Sequence, residues 1–112
     1  METHSFYNSP HQEELLERLK QQVLPYAKAR RWFVGFSGGV DSSVLLHALV
    51  SLVAHENQQQ SPQVAFPEIV AVHINHQIQT NAVLWEIHCQ NQSASLGVKC
   101  LSYKVAIDVD PV

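Results

Sequence analysis

The chain has 112 residues, of which 46% are hydrophobic and 15% charged, and its formal net charge is −3. That length suits one small domain, and the hydrophobic fraction is typical of a folded α/β protein rather than a disordered one. The negative charge argues against a chain-wide attraction to nucleic acid. The longest apolar run is too short to cross a membrane. The two cysteines have no CxxC spacing, which favours a reducing, cytoplasmic compartment.

Residues 1–31 are predicted to form an N-terminal helix and a linker. Ser9 can cap the helix and Pro10 suits its first turn, after which apolar residues repeat at helical spacing: Leu15, Leu16, Leu19 and Val23. Pro25 is expected to end or kink this helix because proline lacks a backbone N–H. The basic residues that follow are interpreted as a solvated helix end, with contact to RNA as the alternative: Lys28, Arg30 and Arg31.

From residue 32 onward, strand and helix patterns alternate. Residues 32–36 and 69–74 are short apolar runs of the kind that buried parallel strands show. The segment after the first run is predicted to be a helix that is apolar, and covered, on more than one side. A polar stretch with two prolines, 57–67, predicts an exposed loop before the second strand.

A second helix is expected to begin at residue 80 or 81 and to end at Gly97 in a left-handed cap. Its inward-facing residues are predicted to be Val83, Leu84, Ile87 and Ala94. With a third strand at 98–105, the alternation predicts a three-layer α/β sandwich around a parallel sheet with right-handed crossovers. Three strands make half of a typical open sheet, so we expect residues 32–112 to be the first part of a longer, here incomplete, domain.

The segment between the first strand and its helix, SGGVDSS at 37–43, suits a phosphate-binding loop. Adjacent glycines let the backbone turn sharply and leave room for an anion beside the amides. The hydroxyls of Ser37 and Ser42 add donors, and the following helix points free N–H groups at the same place. Asp41 would repel phosphate unless a cation lay between them, and Mg²⁺, which prefers hard oxygen ligands, supplies that charge. The loop therefore predicts a site for a metal-bound triphosphate or pyrophosphate.

Other interpretations of this loop are weaker. It is not a Walker loop, because GxxxxGK is missing and no lysine occurs between Lys28 and Lys99. Residues 35–39 do satisfy GxSxG, the nucleophile elbow of serine hydrolases. The preceding 31 residues look helical, however, and leave no room for the earlier strand whose loop completes the oxyanion hole of such enzymes. A glycine turn with an ordinary Ser or Asp helix cap is the remaining alternative.

The loop sequence resembles the signature of the PP-loop ATP pyrophosphatases, which cleave ATP to AMP and pyrophosphate and activate a substrate by adenylation. Within that group the surrounding residues are most similar to the tRNA(Ile)-lysidine synthase family, over about residues 32–105. The similar segments are Leu45-Leu46-His47, residues 71–76 (AVHINH), Asn81-Ala82, Trp85 and His88-Cys89. The resemblance implies an adenine nucleotide alpha hydrolase-like fold with strand order 3-2-1-4-5, so that all three strands lie on one side of the switch point.

The resemblance also implies the reaction. ATP adenylates the 2-carbonyl oxygen of the wobble cytidine in an isoleucine tRNA with a CAU anticodon, and the side-chain amine of free lysine then displaces AMP to form lysidine. Asp41 is implied to hold Mg²⁺ and to be the residue on which activity depends. The residues implied to hold the nucleotide are Ser37, Gly38, Gly39, Val40, Asp41 and Ser42 around the phosphates, with the backbone of His73 and Ile74 at the adenine.

Two other function classes stay open at this point: another PP-loop enzyme, of the tRNA thiolase or GMP synthetase type, and a non-catalytic nucleotide-binding module. A transition-metal site at His73, His76 and His88 is disfavoured, because residues three apart at a strand end face opposite sides. Cys89 and Cys100 are predicted to be buried thiols. The bare edge of the first strand invites self-pairing, so a homodimer is predicted, together with weak ATP binding and no turnover by these residues alone.

Overall fold

The computed structural model describes residues 9–58, 65–75 and 81–105. Within these ranges three helices and three strands follow one another as α1 (Pro10–Val23), β1 (Arg31–Gly35), α2 (Val40–Asn57), β2 (Glu68–Asn75), α3 (Ala82–Ser95) and β3 (Lys99–Lys104). A short 3-10 turn, Leu24–Tyr26, follows α1. No helix in the described ranges is both long enough and apolar enough to cross a lipid bilayer.

Helix α1 begins as its sequence predicts. The hydroxyl of Ser9 accepts a hydrogen bond from the backbone N–H of Gln12 at 3.3 Å, and Pro10 occupies the first turn. The helix ends at Val23, and Pro25 lies in the 3-10 turn beyond it. Leu16 is fully buried where α1 packs against Ala48 and Leu52 of α2. The N-terminal helix is therefore fixed to the rest of the described structure through α2.

The three strands form one parallel sheet in the order β1-β2-β3. The register places Val34 beside Ala71, and Ala71 beside Cys100. Each strand pairs with the next one along the chain, and one helix lies in each crossover. The predicted parallel α/β sheet is confirmed, and its strand order agrees with the first half of the 3-2-1-4-5 arrangement.

Helices α2 and α3 contribute to a core on one face of this sheet. Side chains alternate along a strand, so Val34 of β1 and the odd-numbered residues of β2 point to the same face. Full burial of an aliphatic side chain contributes roughly 1.5–3 kcal/mol, so this core supplies much of the stability of the described part. The core cluster consists of Val34, Phe36, Leu46, Leu49, Ile69, Ala71 and Cys89.

The opposite face of the sheet carries apolar side chains that stay accessible. Phe33 is 64% exposed, and Ile74 and Tyr103 are also exposed. The expectation of a fully buried β1 is therefore wrong for the Phe33 side in the described part of the chain. Val70 pairs with Phe33 and lies on the same face, but it is buried, so this face is only partly accessible in the described ranges. The sheet and one helical layer are present, and the third layer stays a prediction.

The inward face of α3 is not the predicted one. All four residues predicted to face inward are exposed, whereas Cys89 and Ser93 are buried; the four are Val83, Leu84, Ile87 and Ala94. The predicted end of α3 is confirmed: Gly97 has a φ of 73°, its N–H donates to Ala94 O at 3.0 Å, and the N–H of Val98 donates to Ser93 O at 2.9 Å. These two bonds form a Schellman cap. The helix thus has the expected length and a different rotation about its axis.

The basic residues before β1 lie at the amino edge of the sheet, because β1 begins at Arg31. Arg31 Nε pairs with Glu68 Oε1 at 3.0 Å, and both side chains are about half exposed. An exposed pair of this kind contributes at most about 1 kcal/mol. Contact with RNA at this edge stays a prediction.

Several sequence predictions fall outside the described residues. They concern the middle of the polar loop (59–64), His76, and the segment after 105. The described ends of the loop approach each other, since the N–H of Phe66 donates to Asn57 Oδ1 at 2.8 Å.

Candidate functional site

The glycine-rich loop lies at the carboxyl edge of the sheet. The N–H of Phe36 donates to Val72 O at 2.8 Å, and the chain then leaves the sheet. Gly39 is the N-cap of α2 and Val40 its first residue. Because glycine has no side chain, it offers no acceptor of the kind that Ser or Asp supplies to the first helical N–H groups. The amino end of α2 thus presents N–H donors and a positive dipole end to an anion.

Two serine hydroxyls converge at this helix end. Ser37 Oγ and Ser42 Oγ are 2.9 Å apart and share a hydrogen bond. The N–H of Gly39 donates to Ser37 Oγ at 3.3 Å, and Ser42 Oγ donates to Gly39 O at 3.3 Å. The structure therefore brings together both serines that were predicted from the sequence. A hydroxyl can rotate to suit a new acceptor, so both groups are able to redirect their protons toward phosphate oxygens.

Gly38 is buried and has a φ of 86°. A Cβ atom there would lie 2.8 Å from Cys89 Sγ and 3.3 Å from Trp85 Cε2. Both the left-handed backbone and the lack of space therefore require glycine at this position. The loop is closed on this side by α3. Away from α3, the described loop residues Ser37, Val40 and Asp41 are exposed, and this is called the open side.

Asp41 lies in the first turn of α2, and its side chain is exposed, as is that of Val40. Among the described residues no three His, Cys, Asp or Glu side chains gather closely enough to hold a metal ion. The donors present are therefore a single carboxylate beside hydroxyl and amide groups. This set fits Mg²⁺ brought in by phosphate oxygens, since that ion commonly takes one or two carboxylates together with substrate phosphates.

His73 and Ile74 occupy different environments at the end of β2. In a parallel strand, alternate residues direct their backbone groups to opposite neighbours, so Ile74 faces the same side as Val72, whose carbonyl bonds the N–H of Phe36. The backbone of Ile74 is thus directed toward the loop side, whereas that of His73 is directed toward β3. The His73 side chain is buried, and its Nδ1 lies 3.0 Å from Phe36 O, to which it donates.

Cys89 lies directly below the loop with none of its surface exposed. Its Sγ is 3.4 Å from His73 Nδ1 and 4.0 Å from Phe36 O. Burial, with smaller contributions from Cys100 and Glu86, raises the pKa of the Cys89 thiol to about 11. The predicted buried thiol is confirmed at Cys89, whereas Cys100 is only partly buried.

Contacts from α3 to the loop were not predicted. The indole Nε1 of Trp85 donates to Ser37 O, and the hydroxyl of Ser43 donates to Gln92 Oε1 at 3.1 Å. The family resemblance is the only sequence signal that points to Trp85. Gln92 gave no signal there, because its partner lies 49 residues away and only the fold brings the two together.

A glycine loop at the carboxyl edge of a parallel sheet, opening onto a helix end with two converging hydroxyls, defines a nucleotide-binding α/β protein. The sequence matches the PP-loop domain family over residues 9–112, and the chain belongs to that family. Membership in it implies that the protein binds ATP.

Curated relatives of the chain are tRNA(Ile)-lysidine synthases. The enzyme of Pseudomonas syringae pv. tomato is 37% identical over 101 residues, which are 90% of this chain and 21% of the relative. That of Pseudomonas aeruginosa is 39% identical over 95 residues, 85% of this chain and 20% of the relative. That of Legionella pneumophila (strain Paris) is 37% identical over 95 residues, 85% of this chain and 18% of the relative. The chain therefore spans about a fifth of the length of these relatives.

Proposed function

We propose that this chain forms the first part of the ATP-binding domain of a tRNA(Ile)-lysidine synthase, acting in the cytoplasm. The 2-carbonyl oxygen of the wobble cytidine in a CAU-anticodon isoleucine tRNA attacks the α-phosphorus of ATP, and pyrophosphate leaves. The side-chain amine of free lysine then attacks C2 of the cytidine, and the oxygen departs with AMP. Adenylation is needed because an amide-like carbonyl is a poor electrophile until its oxygen becomes a good leaving group.

In this proposal the described residues bind and orient the nucleotide. The Ser37 and Ser42 hydroxyls, with the backbone N–H groups from Gly38 to Ser42, hold the phosphates. Asp41 holds Mg²⁺, which neutralises charge on the departing pyrophosphate when it is bound. The backbone of Ile74 contacts adenine, and the His73 side chain supports the loop from below through Phe36 O. Catalysis then depends on positioning and on electrostatic stabilisation.

The observation that supports the proposal most directly is the pairing of Ser37 Oγ with Ser42 Oγ across the uncapped amino end of α2. A loop that only turned the chain would have no need to bring two hydroxyls to a helix end beside a glycine that tolerates no Cβ. The names of the relatives support the lysidine-forming enzyme over other PP-loop proteins. The division into residues 1–31 as helix and linker and 32–112 as the first part of the domain belongs to the proposal.

The decisive experiment uses the complete natural protein. It is incubated with ATP, Mg²⁺, lysine and an isoleucine tRNA transcript with a CAU anticodon, and the digested nucleosides are examined by mass spectrometry. Lysidine, formed with one AMP per modified tRNA, is the expected product.

A transcript with a GAU anticodon is the substrate control, since it lacks the wobble cytidine. Asp41→Asn is the protein control: it should remove most of the activity and most of the dependence of ATP affinity on Mg²⁺. A sulfur-containing nucleoside in place of lysidine would contradict the proposal in favour of a tRNA thiolase. Full activity of Asp41→Asn would contradict the assigned role of Asp41.

A further inference from the structure

Helix α3 contacts the phosphate-binding loop at both of its ends. At the first end, the indole N–H of Trp85 bonds the Ser37 carbonyl. At the second, Gln92 accepts a hydrogen bond from the Ser43 hydroxyl at 3.1 Å. The two contacts come from residues seven positions apart, which places them on one face of α3, two helical turns apart. The same face of α3 therefore makes both contacts.

The bond from Trp85 determines how one loop peptide is oriented. The described chain contains no cis peptide, so the carbonyl of Ser37 and the N–H of Gly38 point in opposite directions within one plane. Because the carbonyl is held toward α3, the N–H of Gly38 is held away from α3, on the open side of the loop. An anion that enters from the open side meets this N–H already in place.

Burial does not explain the presence of Trp85. Its side chain is 41% exposed, and one face of the ring stacks on His88 at a centroid distance of 5.0 Å. Loss of the indole N–H therefore removes little from the core. Its bond to Ser37 has a local effect on the loop instead.

We propose that Trp85 is a positioning residue for the phosphate-binding loop: its indole N–H fixes the Ser37–Gly38 peptide so that the Gly38 N–H faces the nucleotide phosphates. This inference rests on the proposed function, because it requires that the loop bind phosphates. It predicts that Trp85 matters for phosphate-bearing ligands and not for the nucleoside alone.

The test compares Trp85→Phe with Trp32→Phe. Phenylalanine keeps a ring against Gly38 and lacks the N–H. Trp32 is the matched control, since its own Nε1 donates to Tyr26 O at 3.0 Å at the opposite edge of the sheet. Calorimetry with the complete natural protein should show Mg²⁺–ATP affinity about tenfold weaker in Trp85→Phe, as expected for one lost hydrogen bond, and unchanged in Trp32→Phe. Adenosine affinity, measured by ligand-observed NMR, should be the same in both.

A second measurement does not depend on how well Trp85→Phe folds. The 112-residue chain has two tryptophans, so Trp32→Phe leaves Trp85 as its only indole. Its fluorescence should change when Mg²⁺–ATP binds and should not change with adenosine.

The outcomes separate the two proposals. Failure of the unsubstituted protein to bind ATP would contradict the proposed function. ATP binding that Trp85→Phe leaves intact would overturn only the role of Trp85. Equal losses of ATP and adenosine affinity would also overturn it, since they would indicate a general structural defect. Trp85 fluorescence that stays constant in the 112-residue Trp32→Phe chain, while calorimetry on that same variant chain records Mg²⁺–ATP binding, would do the same.

Discussion

At the scale of single residues, Gly38 and Gly97 separate two reasons for requiring glycine. Both have positive φ, but a Cβ at Gly97 would meet nothing within 4 Å, whereas one at Gly38 would lie 2.8 Å from Cys89 Sγ. Gly97→Ala should therefore lower the unfolding free energy only by the cost of placing a side chain on left-handed backbone, about 1–2 kcal/mol. Gly38→Ala should cost roughly 2–4 kcal/mol, because overlap with a buried side chain is added. Urea denaturation measures both values.

Gly35→Ala is the control, since that position has an ordinary φ and open space around it. In the Gly38→Ala background, Cys89→Ala should cost less than it does alone, because it removes the atom with which the new Cβ collides. Equal losses from Gly38→Ala and Gly97→Ala would show that α3 does not press on the loop.

The Cys89 thiol gives a dependence of stability on pH. Burial raises its pKa from an ordinary value of 9.0 to about 11, so the folded protein keeps the proton where the unfolded chain loses it. Between pH 9 and pH 11, unfolding therefore releases a proton from Cys89. The contribution of the protonated thiol to folding stability is complete below pH 9 and is lost as the pH rises through about 11. The loss amounts to roughly 2–3 kcal/mol.

Denaturation of the unsubstituted chain and of Cys89→Ala across this pH range isolates the effect, since other groups titrate alike in both. The gap between their unfolding free energies should narrow toward high pH. A constant gap would mean that the Cys89 thiol is not shielded from water.

At the scale of elements, α3 shows why an apolar stripe did not predict orientation. The exposed face carries Val83, Leu84 and Ile87, while the inner face carries polar residues that bond the sheet and the loop. Glu86 accepts from Asn75 Nδ2 at 2.9 Å, and Gln90 donates to Ser102 Oγ at 2.8 Å. Together with the contacts of Trp85 and Gln92, these bonds set the rotation of the helix. These partners lie outside α3 in the sequence, so the spacing of apolar residues along the helix does not reveal them.

Ser93 tests this orientation. Its side chain is fully buried, and its hydroxyl has no hydrogen-bond partner within the described part of the chain. Ser93→Ala should therefore raise the unfolding free energy by about 1 kcal/mol, because an unsatisfied polar group is removed. The higher helix propensity of alanine contributes up to roughly 0.7 kcal/mol to this gain. Leu84→Gln should change stability by less than about 0.5 kcal/mol. A large loss from Leu84→Gln would indicate that the sequence-based orientation was right.

At the scale of the whole molecule, the sequence predicted those features that depend on residues close together in the chain. The Ser9 cap, the Gly97 cap, the strand positions and the parallel order all follow from short-range signals, and the structure agrees with them. The loop was predictable for the same reason, since SGGVDSS is one continuous segment, residues 37–43. The contacts that fix the loop against α3 were not, because they join residues about 50 positions apart. The placement of Phe33 was also missed, since a continuous apolar run does not say which face of a strand is covered.

Phe33 combines an open face with an open edge. Its side chain lies on the accessible face of the sheet. The Arg30 carbonyl and the Phe36 N–H both bond β2, and Phe33 is an odd number of positions from each, so its own backbone groups point away from β2. In the described part, β1 pairs with β2 alone. An accessible apolar edge strand is a template for a further strand. The predicted homodimer would arise here.

The 112-residue chain should therefore self-associate as its concentration rises, and Phe33→Lys should suppress this, because a charged side chain on an edge strand opposes pairing. Light scattering coupled to size-exclusion chromatography measures the mass across a dilution series. Leu84→Lys is the matched control, since Leu84 is 70% exposed on α3 and lies away from β1. If Leu84→Lys lowers the mass and Phe33→Lys does not, association runs through the helical layer, and the edge of β1 is protected by some other means.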